Sequence, residues 1–289
     1  MIFKVIANPV AGRGRTKAAL PNLELELNNL GIAYELYLTK EPGHASILAK
    51  QAEGYNGIIA VGGDGTINEI VNGMPKNKPL CIVPLGTGND LARSLNIPFG
   101  IESLKTLVSG NIVKIDLGIE QDGVFACSVA LGLATDVMLK VNANRNHRLI
   151  RGSLAINLSI VSSAFSLKPL KLRIKADNKV REVESILTYV MNTPYTGGGL
   201  FLAPGANATD GLLDVVIVND IRGWELLKML PKVYSGKHVN HPKVEFLKAK
   251  NVTIESLEPA EKMCDGEIKG HTPLISEIHT EKLPVYVPA

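Results

Sequence analysis

The sequence predicts two unlike halves: an α/β domain built on a mainly parallel sheet, then a mainly β sandwich domain. Three observations carry this. Apolar, strand-like runs alternate with stretches of helical period as far as about residue 112. Two of the strand-to-helix turns are rich in glycine and carry an acid, "GGDG" at 62–65 and "GTGND" at 86–90. Beyond residue 112, strand-like runs follow one another with turn residues between them. Strands alternating with helices imply a parallel sheet covered on both faces.

The elements read as follows. "IFKVIAN" is a continuous apolar run closed by Asn8-Pro9, the mark of a buried strand. Residues 16–30 place Leu20, Leu23, Leu27 and Leu30 at helical spacing, and Gly31 follows as a helix stop. "AYELYL", "GIIAV" and "PLCIVPL" are further strands, while "GHASILAKQAE", "TINEIVNGM" and "NDLARSL" supply the helices between and after them. "IVKIDLGIE" and "VFACSVALG" form a hairpin about Asp122-Gly123, and "KLRIKA" with "VREVESILTYVMN" forms another. "GLLDVVIV", "VEFLKAKNVTIES" and "TPLISEIH" add strands, and helical stretches interrupt around 152–166 and 222–232. The boundary falls near 112–118. This gives a domain over 1–115 and a second over 116–275, with 276–289 returning to the first.

The chain has 289 residues, enough for two domains at about 100–200 residues each. Hydrophobic residues make up 45% and charged residues 20%, the composition of a globular protein with a sizeable core. A net charge of +3 is too small to argue for nucleic acid, and none is expected as a partner. Cys81, Cys127 and Cys264 are an odd number at spacings that fit no zinc pattern, so they read as reduced thiols of a cytoplasmic protein. "MIFKVIANPV" lacks the apolar region of a signal peptide. The longest uncharged stretch, "GSLAINLSIVSSAFSL", is 16 residues and too polar to span a bilayer.

A glycine-rich turn that opens a helix exposes backbone N–H groups at the positive end of the helix dipole, which suits phosphate. In a parallel sheet the 62–65 and 86–90 turns share the carboxyl edge of the strands, where ligands bind. "NPVAGRGRTK" leaves the first strand at the same edge with Arg13, Arg15 and Lys17. Two readings of the acids stand. Asp64 and Asp90 cap the helices they precede, or they hold Mg²⁺ against a bound phosphate. Asp210-Gly211 likewise reads as a plain turn before "LLDVVIV".

"VGGDGTINEIVNG", "PLGTGNDLARSL", "APGANATDGLLDVVIV" and "CDGE", in this order from Asn8 to Glu267, resemble the bacterial diacylglycerol kinase family, related to sphingosine and ceramide kinases. The resemblance implies ATP in a cleft between the two domains. It implies nucleotide contacts from Asn8, Thr39, Gly62, Gly63, Asp64, Gly65, Thr66, Ile67, Asn68, Glu69 and Thr87. It implies an aspartate network of Asp64, Asp90 and Asp116 that positions Mg²⁺ through water, and Glu267 as the proton acceptor. It implies a separate structural metal on Asn207, Asp210 and Leu212. This chain departs from the family's pattern at Ile156, where an aromatic is common, and at Arg148, where a lysine is common.

Phosphoryl transfer is mostly positioning and charge neutralisation. The expected substrate is a lipid alcohol, diacylglycerol first, with an apolar cleft for its tails and "LAINLSIVSSAF" as a wall. Arg145, Arg148 and Arg151 in "NRNHRLIR" would meet a membrane surface in passing, a peripheral contact. His147 reads as a surface histidine and Trp224 as core. A homodimer through an exposed sheet edge is an open expectation. Two other functions fit parts of the pattern: a kinase acting on a soluble nucleotide or sugar, as in NAD kinases, and a lipid or nucleotide sensor without catalysis. Asp64 is expected to matter for turnover and little for folding, as an exposed turn carboxylate.

Overall fold

The computed structural model describes residues 1–121, 123–143, 153–166 and 168–289, with 153–155 given as backbone. Asp122, His147 and the arginines Arg145, Arg148 and Arg151 lie outside the described residues. The chain divides into two compact units: Met1–Leu117 with Thr280–Ala289, and Gly118–His279.

The first unit contains β1 (Ile2–Ala7), α1 (Arg15–Asn29), β2 (Ala33–Leu38), α2 (His44–Lys50), β3 (Gly57–Gly62), α3 (Asp64–Gly73), β4 (Leu80–Pro84), α4 (Asp90–Ser94), α5 (Thr106–Ser109) and β5 (Asn111–Ile115). Its six-stranded sheet is completed from the far end of the chain by β19 (Leu283–Val287), in the order β2-β1-β3-β4-β19-β5. All pairs are parallel except β19 with β5. Every residue of β3 and β4 is buried, which is why these strands read as unbroken apolar runs rather than alternating ones. Val5, Ile59, Val61, Val83, Leu23 and Leu27 form the core on one face. Each such side chain contributes about 1.5–3 kcal/mol on burial.

The second unit contains β6 (Gly118–Glu120), β7 (Gly123–Phe125), β8 (Ser128–Gly132), α6 (Leu133–Ala143), α7 (Ser153–Ala164), β9 (Leu170–Ala176), β10 (Lys179–Met191), β11 (Tyr195–Thr196), β12 (Leu200–Phe201), β13 (Leu213–Asn219), α8 (Gly223–Tyr234), β14 (Val244–Ala249), β15 (Asn251–Ser256), β16 (Glu261–Cys264), β17 (Glu267–His271) and β18 (Leu274–Ile278). It is an antiparallel sandwich. The 13-residue β10 makes it so. Its first half pairs with β9, its second half with β8 and β13, and the register shifts between Ser185 and Leu187. Ser185 Oγ accepts from Leu187 N–H at this irregularity, the kind of bulge by which one strand serves two layers. Phe125, Val129, Leu131, Ile174, Val190, Val215 and Ile254 fill the space inside. A second apolar cluster lies under α6, α7 and α8.

Three sequence expectations change. "IVKI" pairs with β19 in the first unit and forms no part of the hairpin that follows it. Leu133–Ala143, which follows β8 without a break, is a helix that no sequence expectation covered. Trp224 is 51% exposed and so is not core. Leu274–Ile278 pairs within the second unit, so the return to the first begins at Thr280. Among the described residues no helix is long and apolar enough to cross a membrane.

Candidate active site

Three loops meet at the carboxyl edge of the first unit's sheet because glycine lets them. Gly63 and Gly86 touch backbone to backbone: a Cβ on Gly86 would fall 2.3 Å from the Gly63 Cα. Gly12, at φ +59°, lies against the 84–90 turn, where a Cβ would meet the Leu85 carbonyl oxygen at 2.0 Å. Gly62 O accepts from the N–H groups of Leu85 and Gly86 at 2.8 and 3.0 Å. No side chain larger than hydrogen fits at these crossings.

Asp64 is the strut between the two glycine turns. It belongs to the first turn of α3, yet its carboxylate caps α4 instead. Oδ2 accepts from Asn89 N–H at 2.6 Å and Oδ1 from Asp90 N–H at 2.8 Å. The expectation of an exposed, structurally idle carboxylate is therefore corrected: Asp64 is half-buried and fastens a helix start. The capping reading changes: Asp64 caps α4 across the turns and not α3, the helix it opens. Asn89 adopts φ +55°, a left-handed conformation that asparagine tolerates well. At α3 the residue before Asp64 is Gly63, which has no side chain to offer as a cap. The helix start therefore remains available to an anion.

The other residues implied for nucleotide binding spread around this edge. Asn8 Nδ2 donates to Thr66 Oγ1 at 3.0 Å, joining the end of β1 to α3. Thr39 follows β2, with its N–H on the Ala7 carbonyl at 2.9 Å. Gly65 and Thr87 are exposed at the two turns, whereas Thr66, Ile67 and Asn68 are buried on α3. Glu69 points away along α3 and accepts from Ala45 N–H at the start of α2, 3.1 Å. Arg15 donates to the carbonyls of Gly12 and Gly86, so it ties loops together, while Arg13 and Lys17 are exposed.

Asp116 does not join Asp64 and Asp90. Ile115 pairs with Leu283 and Val285 pairs with Leu80, so Asp116 lies beyond the amino end of β4. Asp64 and Asp90 follow the carboxyl ends of β3 and β4. The edges are separated by on the order of 15 Å, at about 3.3 Å per strand residue. Asp116 is fully buried and ion-paired with Lys282 Nζ at 2.8 Å. The expected three-carboxylate network is thus reduced to Asp64 and Asp90. The register of β5 was not visible in the sequence because its partner, β19, comes from residues 283–287. Among the described residues no cluster of three or more His, Cys, Asp or Glu side chains could bind a metal directly. The two carboxylates beside the glycine turns are oxygen donors of the kind that suits a water-mediated Mg²⁺.

In the second unit, Glu267 opens β17 directly after the two-residue turn Asp265-Gly266. Both turn residues have positive φ, 42° and 85°, as a tight hairpin turn requires. Asp265 had no assigned part in the sequence reading, but it fixes this tip. Its Oδ1 accepts from Cys127 and Ser128 N–H at 2.9 and 2.8 Å, and its Oδ2 from Ala126 N–H at 2.8 Å. The aspartate in "CDGE" was the available signal. Glu267 itself is exposed.

The 207–212 loop is a turn with a cation of its own. Asn207 Oδ1 accepts from Thr209, and Asp210 Oδ1 from Leu212 N–H at 3.0 Å. Lys248 Nζ lies 3.0 Å from Asp210 Oδ2, 3.4 Å from Asp214 Oδ2 and 2.9 Å from the Gly205 carbonyl. Burial pushes the Asp214 carboxyl above its ordinary range, and Lys248 counters it. A metal on Asn207, Asp210 and Leu212 would share Asp210 with this ammonium.

The second unit also holds an apolar cavity. Leu133, Val137, Ile156, Ile160, Met229 and Val233 wall it between α6, α7 and α8, and it holds about 90 Å³ of free space. His238 lines it too. Its Nε2 is 2.9 Å from the Leu202 carbonyl, and burial pulls its pKa below the ordinary value, so it stays neutral.

An α/β unit with convergent glycine turns and an antiparallel sandwich unit together define the kinase-like class of fold. Comparison with known proteins specifies it. Residues 3–119 match the diacylglycerol kinase catalytic domain, and residues 127–287 match the YegS C-terminal NAD kinase beta sandwich-like domain. A diacylglycerol kinase of Staphylococcus aureus is 33% identical over 93% of this chain and 87% of its own length. One from Staphylococcus carnosus is 31% identical over 99% and 94%. A crystal structure from Bacillus anthracis, provisionally assigned as a diacylglycerol kinase, superposes with a TM-score of 0.81 at 26% identity over 99% of this chain and 97% of that one. An NAD kinase from Archaeoglobus fulgidus, solved with ATP, shares the fold at a TM-score of 0.55 and 14% identity, covering 99% and 93% of the two chains. The chain belongs to the diacylglycerol kinase family.

Proposed function

We propose that this protein transfers the γ-phosphate of ATP to the hydroxyl of a lipid alcohol, with diacylglycerol as the first candidate. The observation that carries the lipid half is the cavity between α6, α7 and α8. Its wall is almost wholly apolar, with Tyr189 and His238 as the exceptions in type, which suits a hydrocarbon chain and offers a nicotinamide or sugar little to bond. The start of α3 and the exposed backbone of the two glycine turns receive the phosphates. Asp64 and Asp90 would hold Mg²⁺ through water, and the ion would neutralise the charge that develops on the transferring group. Glu267, held at its tip by Asp265, accepts the proton of the attacking hydroxyl.

The test is labelling. The protein is incubated with γ-labelled ATP and Mg²⁺, with a total lipid extract, with NAD, or with neither. Label in a lipid, and in diacylglycerol when it is supplied pure, is expected. Label in NAD, or none with any acceptor, refutes the reading. Ala134→Phe, which fills the cavity, is expected to raise KM for long-chain lipid with little change in KM for ATP.

A further inference from the structure

The cavity under α6, α7 and α8 is small at rest for the acyl chain of a lipid. It holds about 90 Å³ of free space. A cavity of roughly 150 Å³ takes only a benzene ring, and the acyl chain of a membrane lipid is several times longer than that ring. Either the chain passes the cavity by, or the wall gives way.

The make-up of the wall decides between these. The chain has six methionines, and three of them line this one cavity from three sides: Met138 on α6, Met229 on α8 and Met263 on β16. Methionine is unbranched, with three rotatable bonds and a polarizable sulfur, so it re-packs around an irregular neighbour at little cost. Leucine and isoleucine hold better-defined rotamers and do not adapt in this way. The opposite wall is fixed. Leu187, Tyr189 and Val218 stand on β10 and β13, which pair with one another from Leu187 to Met191. His238 is held by the Leu202 carbonyl at 2.9 Å. The space grows where the methionines stand. Met138 Cε lies 4.0 Å from where a Cβ on Gly266 would sit, and Met263 pairs with Ile268 across the hairpin that carries Glu267. Growth past these two methionines leads toward that hairpin.

We propose that Met138, Met229 and Met263 are specificity-determining residues, a deformable wall that admits acyl chains of different shape with similar efficiency: straight, kinked by a cis double bond, or methyl-branched. The inference rests on the lipid-kinase reading and adds the class of acceptor chain to it. A rigid apolar pocket distinguishes one methylene by about tenfold or more. Surfaces that re-pack around methionine accept many shapes instead.

The test begins with binding. The full chain, isotope-labelled at its methionine methyl groups and free of nucleotide, is titrated with dioctanoylglycerol and followed by NMR. The signals of Met138, Met229 and Met263 are expected to move, and that of Met74, buried in the first unit, to stay. Rates are then measured with ATP on diacylglycerols whose chains are straight, cis-unsaturated or methyl-branched, in micelles of one composition. The wild type is expected to keep kcat/KM within about threefold across the set. The variant M138L/M229L/M263L conserves volume, and it should widen the spread to about tenfold or more with KM for ATP unchanged. The single variant M138L should widen it in the same direction, and it serves alone if the triple variant does not fold. Unmoved methionine signals overturn the proposal. So does a wild type that separates the chains by about tenfold or more, or a folded Leu variant that keeps the narrow spread. Methionine signals that move while no diacylglycerol is labelled refute the kinase reading and support the deformable wall.

Discussion

Asp64→Ala removes two hydrogen bonds from a carboxylate to backbone N–H groups at 2.6 and 2.8 Å. Hydrogen bonds to charged groups contribute about 1.5–3 kcal/mol each, and the orphaned Asn89 N–H sits in a residue only 5% exposed. Part of this is recovered by water at a half-buried site, so a net loss of about 2–4 kcal/mol is expected. α4 is only five residues long and cannot hold its start without the cap. Asp64→Asn retains one acceptor and loses the charge, so its loss should be about 1–2 kcal/mol. The assay is urea unfolding, followed for the first unit by fluorescence of its tyrosines or by hydrogen exchange at residues 86–94. Turnover with saturating Mg²⁺ is measured below the unfolding range. Asn should fold nearly normally and yet lose about 10²-fold or more in kcat, because it can neither charge-balance nor orient the ion's waters. If Ala costs less than about 0.5 kcal/mol, the strut is not real. If Asn turns over near the wild-type rate, Asp64 has no part in positioning Mg²⁺.

Three further outcomes follow from the geometry. Glu267→Gln should lower kcat and kcat/KM together by about 10²-fold or more with ATP affinity unchanged, whereas Asp265→Asn should give a smaller loss that tracks reduced protection of the Ala126–Ser128 amides; loss of ATP binding in the Gln variant would refute the base assignment. Asp210→Ala should lower Tm by breaking the Lys248 pair and the Leu212 turn bond, and the wild-type Tm should not move with chelator; a chelator-sensitive Tm would put a structural cation on Asn207, Asp210 and Leu212. His238 has its pKa below the unfolded value of about 6.5, so the unfolded chain binds the extra proton. Its contribution is present above that value and is lost as pH falls toward the native pKa, so His238→Gln should flatten the decline in stability below about pH 6.5, and an unchanged slope would refute it.

The parallel sheet was legible because β3 and β4 are buried on both faces and so spell continuous apolar runs. The two glycine turns were legible because backbone contact leaves room for no other residue. What escaped was what depends on partners remote in sequence. "IVKI" looks like the first arm of a hairpin, and only its pairing with Leu283–Val287 makes it an edge of the first sheet. α6 begins at the residue after β8, with no cap or proline to announce it. The apolar residues of 153–165 were read as one wall, since a helix apolar all round has no period by which to tell its cavity side from its outer side.

Aspartates show the limit most clearly. Asp64, Asp90, Asp116 and Asp265 all follow or lie in turns, and nothing in their own neighbourhoods distinguishes them. Asp265 takes three N–H groups from residues 137 to 139 positions away. Asp116 pairs with a lysine 166 positions later, at Lys282. Asp64 reaches across 25 and 26 residues. That span answers why a carboxylate stands inside a turn suited to anions. Both of its oxygens are turned toward α4, where they accept from two N–H groups. The start of its own helix has no side-chain cap and suits an anion. Like charges at the two helix starts would otherwise repel. The sheet separates the tasks by using one turn's acid to close the other turn, which keeps that acid's charge off the helix start that suits an anion.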